Sequence, residues 1–184
     1  VDNRAVFVCA HGAGGHKDDR GMAALAQALE GTGFEVVRFN FPYRDRGSKL
    51  PDPMPVLKET IAATADRFRG KKKLIIGGRS MGGRAASMLA ADGFECDGLL
   101  LLAYPLHPAG KPEKLRDAHL PQIRAPVLCF NGTRDALCRR DLMEKVLEKL
   151  SWRMHWLDGA THSFRAKDLE EVADVSRDWL SRLG

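Results

Sequence analysis

The sequence predicts an α/β fold: an open parallel sheet of about six strands, with helices on both faces. Short apolar runs alternate with amphipathic segments along the whole chain. The runs are nearly continuous in hydrophobicity rather than alternating, the pattern of strands covered on both sides. A length of 184 residues, 44% hydrophobic and 29% charged, suits one domain with a substantial core.

The elements follow in order. Ala5 to Ala10 reads as a first strand, followed by the loop His11-Gly12-Ala13-Gly14-Gly15. A helix runs from about Asp19, with Met22, Leu25 and Leu29 on one face and stop signals at Gly31 and Gly33. Phe34 to Phe39 is the second strand, ended by Pro42, and a loop rich in Pro and Arg leads through Pro51, Pro53 and Pro55. Leu57, Ile61, Thr64 and Phe68 mark a helix closed by Gly70. Leu74-Ile75-Ile76 leads into Gly78-Arg79-Ser80-Met81-Gly82, and a small-residue helix follows to near Gly93. Gly98 to Ala103 is a strand, and Tyr104 to Ala125 is irregular, punctuated by Pro105, Pro108, Pro112 and Pro121. Pro126 to Phe130 is a further strand, ending at Asn131-Gly132. A helix spans Asp141 to Leu150, with Asp141-x-x-Glu144 reading as a capping box. Trp152 to Leu157 is the last strand, and Val172, Val175 and Trp179 mark a terminal helix. In such doubly wound sheets, ligands bind at the carboxyl ends of the strands.

Composition excludes several function classes. The formal charge is +5, but the basic residues are scattered, and Lys71-Lys72-Lys73 reads as a solvated strand entrance. A nucleic-acid partner is therefore not expected. No apolar stretch approaches the ~20 residues needed to cross a bilayer, so no membrane association is expected. Cys9, Cys96, Cys129 and Cys138 have neither metal nor disulfide spacing and read as free thiols of a cytoplasmic protein. The start, Val1-Asp2-Asn3-Arg4, shows neither an initiator methionine nor a signal peptide and reads as trimmed or processed.

The chemistry concentrates on one rim. G-x-S-x-G between a strand and a helix is a nucleophile elbow, a turn sharp enough to project the serine hydroxyl above the sheet. A serine needs a base, and the base an orienting acid; in this architecture they follow in the order Ser, Asp or Glu, His. Asp135 follows the strand ending at Phe130, and His162 follows the last strand, so both join Ser80 on the carboxyl rim. Asp141 and His107 are the rivals for the two partner roles. Two backbone donors are expected for an oxyanion, the N–H of Met81 and that of Ala13 in the glycine-rich loop. That loop does not cradle a phosphate, because G-x-G-x-x-G begun at Gly12 meets Lys17 where a third glycine is required. His11, His16, Asp18 and Asp19 have no recognised ligand spacing, so neither a metal nor another cofactor is expected.

From His11-Gly12-Ala13-Gly14 through the elbow to Asp135 and His162, the chain resembles the small α/β-hydrolases over nearly its whole length. Gly77-Gly78-Arg79-Ser80-Met81-Gly82-Gly83-Arg84 and Tyr104-Pro105-Leu106-His107-Pro108 are most similar to the branch of the testis-expressed and NSL-complex-subunit-3-like proteins. The chain is also similar to dienelactone hydrolases, which carry cysteine where this sequence has Ser80. The resemblance implies a minimal α/β-hydrolase fold, with Ser80 as nucleophile, His162 as base and Asp135 as orienting acid. The implied activity is that of a serine carboxylesterase acting on a small-molecule ester or thioester. Some relatives act as protein-interaction subunits, which gives the alternative of a hydrolase-fold binding module. Tyr104 to Ala125 is too short for a large cap domain, so an open cleft for small or flexible acyl groups is expected. His11, Arg44, Arg79 and His107 are the candidate substrate-binding residues, with Arg46 beside them, and the arginines favour an anionic substrate.

Overall fold

The computed structural model describes residues 3–184. Six strands form one parallel sheet in the order β2-β1-β3-β4-β5-β6. They are β1 (Ala5–Ala10), β2 (Phe34–Arg38), β3 (Lys73–Arg79), β4 (Gly98–Leu102), β5 (Val127–Gly132) and β6 (Arg153–Leu157). The helices are α1 (Arg20–Leu29), α2 (Pro42–Asp45), α3 (Met54–Asp66), α4 (Met81–Ala91), α5 (Arg140–Leu147) and α6 (Ala166–Arg182).

The period-2 geometry of each strand divides the core into two layers. Phe7, Ile75, Leu100 and Leu128 face α1 and α6, where they meet Met22, Leu25, Leu29, Val172 and Trp179. Val8, Ile76, Leu101 and Cys129 face α3, α4 and α5, where they meet Leu57, Ile61, Ala85, Ala86 and Met143. Truncating one of the fully buried residues, such as Ile76→Ala, is expected to cost about 2–5 kcal/mol.

Asp19 caps α1 by accepting from the Met22 N–H at 2.8 Å. The capping box expected at Asp141 and Glu144 does not form. Helix α5 starts at Arg140, and the two carboxylates pair with Arg139 and Arg140 instead, at 2.7 and 2.8 Å. A capping carboxylate is found at α6, where Asp168 accepts from the Arg165 N–H at 2.7 Å. The irregular segment carries one 3₁₀ turn, Leu120–Gln122, and no cap domain.

The strand order places a topological switch between β1 and β3. From β1 the chain moves outward to β2, then returns to the other side of β1 and continues away from it. The connections leaving neighbouring β1 and β3 therefore diverge, one toward each face, and open a crevice at the carboxyl rim. The loop His11–Gly15 and the turn at Ser80 border that crevice.

Candidate active site

Ser80 is held by a strained backbone. Its φ of 50° and ψ of −118° lie outside the regions an L-residue ordinarily occupies. Its N–H donates to the Leu102 carbonyl at 2.9 Å, and its carbonyl accepts from the Arg84 N–H at 2.9 Å, so β4 and α4 clamp the turn from both sides. The flanking glycines are steric necessities. A Cβ at Gly78 would collide with the Ala10 carbonyl, and one at Gly82 with the carbonyls of Ala10 and His11.

The three residues expected from chain order converge. His162 Nε2 lies 2.8 Å from Ser80 Oγ, and His162 Nδ1 lies 3.0 and 2.9 Å from the two carboxylate oxygens of Asp135. The Asp135 side chain is fully buried, so its charge is held by donors: the Leu137 N–H at 2.8 Å and the Asn131 amide at 3.3 Å. A buried carboxylate only accepts, so Nδ1 of His162 carries the proton and Nε2 presents a lone pair to Ser80. The loops bearing the acid and the base are stitched together by Thr133 N–H to the Leu157 carbonyl (3.1 Å), Arg134 N–H to the Ala160 carbonyl (2.9 Å) and Gly159 N–H to Thr133 Oγ1 (2.8 Å).

The loop after β1 turns back toward the elbow. Gly15 N–H donates to the Gly12 carbonyl at 3.0 Å, Gly14 takes a φ of 68°, and Gly12 lies against Ser80. Gly14 N–H donates to Tyr43 Oη at 3.2 Å. The N–H groups of Ala13 and Met81 donate to no protein acceptor among the described residues, as an oxyanion pair requires.

The candidate substrate-binding residues divide. His11 and His107 are not brought to the cleft as free rings. His11 is fully buried, packed edge-on against Phe41, donating through Nδ1 to the Gly12 carbonyl and accepting at Nε2 from the Phe41 N–H. Burial pushes its pKa below the ordinary histidine value. His107 is equally committed: Nε2 accepts from the Arg139 N–H at 3.0 Å and Nδ1 donates to the Pro108 carbonyl at 3.0 Å. Both rings satisfy backbone groups that would otherwise be buried without partners. Arg79, set by its place on β3 beneath the α6 side of the rim, donates from Nη2 to the His162 carbonyl at 2.6 Å and makes no ion pair among the described residues. Arg44 donates to the Ser48 carbonyl at 2.9 Å, and Arg46 is neutralised by Asp52 at 2.8 Å. Asp141, the rival acid, pairs with Arg139 on the surface.

Asn131 was not singled out by its sequence context, because Asn-Gly at a strand end reads as a turn. It is fully buried, bonds both backbone groups of Tyr104 and reaches the Asp135 carboxylate. Its only sequence signal is its place four residues before the acid. Among the described residues no group of three or more His, Cys, Asp or Glu side chains could hold a metal ion, and no helix is long and apolar enough to cross a membrane.

The alpha/beta hydrolase domain family model matches residues 3–177. The chain belongs to that family. Solved structures share the fold at low identity. A putative alpha/beta hydrolase from Agrobacterium tumefaciens is 20% identical, with a TM-score of 0.78, over 99% of this chain and 86% of that one. An α/β serine hydrolase without a lid from Xanthomonas campestris is 22% identical, with a TM-score of 0.77, over 97% and 84%. A dienelactone hydrolase from Anabaena variabilis is 20% identical, with a TM-score of 0.74, over 99% and 87%.

Proposed function

We propose that this protein is a serine hydrolase that cleaves small carboxylic esters or thioesters through an acyl-enzyme. The observation that carries the reading is the relay Asp135–His162–Ser80, with contacts of 2.9 and 2.8 Å ending on a serine in a strained elbow. His162 Nε2 takes the Oγ proton as Ser80 attacks the carbonyl, and the new C–O bond leaves a tetrahedral oxyanion. The N–H groups of Ala13 and Met81 stabilise that charge. His162 returns the proton to the leaving alkoxide or thiolate as its bond to carbon breaks. Water then repeats the sequence on the acyl-Ser80 ester and releases the acid. Asp135 stays ionised throughout and stabilises the transient imidazolium.

The short irregular segment Tyr104–Ala125 leaves the cleft without a helical cover, which favours small or flexible acyl groups. The α/β serine hydrolase from Xanthomonas campestris is likewise without a lid. The resemblance to the testis-expressed and NSL-complex-subunit-3-like branch raises the alternative of a binding module. Against it stands a buried, fully hydrogen-bonded carboxylate behind the base, together with backbone strain at the nucleophile, neither of which a scaffold needs. A fluorophosphonate probe should label the wild type and leave Ser80→Ala unlabelled. Labelling of both, or of neither, would refute the nucleophile assignment.

A further inference from the structure

The arginines that flank Ser80 are unequal. Arg79, just before it, is tied to the His162 carbonyl. Arg84, one helical turn after it on the same face of α4, has no hydrogen-bond acceptor for its side chain among the described residues. Its Nε is completely buried, and no carboxylate of the described residues lies within 4 Å of its guanidinium. The charge that bears on it most strongly is another cation, Arg116, which likewise has no ion pair among the described residues. Burial and that like charge hold the Arg84 guanidinium below the usual arginine range.

Both cations stand on fixed supports. Arg84 belongs to the helix that begins at the nucleophile. Arg116 lies in the irregular segment after β4, but its backbone is pinned at both ends. Its N–H donates to the Leu106 carbonyl at 2.7 Å, and its carbonyl accepts from Tyr104 Oη at 2.7 Å. Beneath Arg84, Ser87 Oγ donates to the Arg84 carbonyl at 2.6 Å and accepts from His119 Nε2 at 2.8 Å, so the support is fully bonded. A buried guanidinium Nε without an acceptor, in the field of a second cation and with no carboxylate among the described residues beside it, is costly. The chemistry that relieves the cost is an anion with several oxygens, which guanidinium N–H forks match in geometry. Fixed backbones beneath both side chains lower the ordering cost of binding.

We propose that Arg84 and Arg116 form an anion subsite beside the nucleophile, which takes the free carboxylate of a half-ester of a short dicarboxylic acid. This rests on the serine-hydrolase reading, because the ester carbonyl of the same molecule must reach Ser80. A helical turn separates Arg84 from Ser80, so a chain of a few carbons spans the two groups.

The test has a kinetic arm and a binding arm. The kinetic arm compares kcat/KM for mono-4-nitrophenyl glutarate and for neutral 4-nitrophenyl butyrate in wild type, Arg84→Met, Arg116→Met and Arg44→Met. The anionic-to-neutral ratio should fall at least tenfold in the Arg84 and Arg116 variants and only slightly in Arg44→Met, with Arg84→Lys recovering part of it. An unchanged ratio, or a loss that follows Arg44 instead, overturns the subsite while leaving the nucleophile assignment standing. The binding arm titrates glutarate calorimetrically into Ser80→Ala, where turnover plays no part. Saturable binding that disappears in the Ser80→Ala, Arg84→Met double variant supports the subsite even if no ester is hydrolysed. Absence of binding to Ser80→Ala overturns it.

Discussion

Two Ser–His contacts stand within eight residues of each other along one helix, both at 2.8 Å: Ser80 with His162, and Ser87 with His119. What separates them is the direction in which the proton is held. Ser87 is fully buried and gives its own proton to the Arg84 carbonyl at 2.6 Å, so His119 Nε2 must be the donor and has no lone pair to offer. Among the described residues no carboxylate pairs with His119, and burial together with the Arg84 charge depresses its pKa. At Ser80 the polarity is reversed. Asp135 fixes the proton on Nδ1, leaving Nε2 to accept, and the elbow presents the hydroxyl to the crevice rather than to a helix carbonyl. A Ser–His distance is therefore not a site; the group behind the histidine and the acceptor in front of the serine decide which pair can do chemistry.

The sharpest way to break this contrast is to remove each hydroxyl in turn. Ser80→Ala should lower ester turnover on the order of 10⁴-fold or more. Ser87→Ala should leave turnover within a few-fold and cost stability instead. It strands the His119 donor, while the Arg84 carbonyl keeps its intrahelical partner, a loss of about 1–3 kcal/mol. Activity assays with urea denaturation on both variants check it; a dead Ser87→Ala enzyme that is still folded would erase the distinction drawn here.

The next effect in size concerns the acid behind the base. Asp135→Asn keeps the shape but offers an N–H toward Nδ1, favouring the tautomer that turns a donor toward Ser80. Turnover should fall roughly 10³–10⁴-fold with the fold retained. His107→Ala tests the rival histidine. It leaves the Arg139 N–H unpaired and should cost about 1–3 kcal/mol of stability, with most activity kept in the folded protein. If His107→Ala were the inactive variant and Asp135→Asn the active one, the relay would have been assigned to the wrong residues.

The same contrast explains what could be read from sequence. In a parallel sheet every strand ends on the same rim, so the order Ser80, Asp135, His162 was enough to bring three residues from distant positions together. The elbow was legible because a glycine at 78 or 82 is dictated by neighbouring backbone, which leaves a mark in local sequence. The histidine environments were not legible. Whether a ring faces the cleft or pairs with a backbone N–H depends on contacts some thirty residues away, as for His11 with Phe41 and His107 with Arg139. The arginine environments are hidden for the same reason: Arg46 meets Asp52 and Arg79 meets the His162 carbonyl, while Arg84 on the elbow helix keeps a buried Nε that has no acceptor among the described residues. Asp141 and Glu144 had capping spacing, but adjacent Arg139 and Arg140 offered stronger partners.

The smallest expected effect is a pH dependence of stability that belongs to the non-catalytic histidines. His11 and His119 are both held neutral by burial, with folded-state pKa values below the ordinary 6.5. As pH falls, the unfolded chain takes up these protons first, so their contribution is complete above about pH 6.5 and is lost as the solution becomes more acidic. The carboxylates of Asp168 and Asp178, whose pKa values are lowered by arginine partners, act in the same sense but only near and below pH 4. The interval from pH 7.5 to 5.5 therefore isolates the histidines. His119→Gln retains a donor for Ser87 Oγ but cannot titrate, so its urea midpoint should decline less over that interval than the wild type's, by a fraction of a kcal/mol to about 1 kcal/mol in stability. An equal decline in both proteins would mean that His119 is not held neutral in the folded protein.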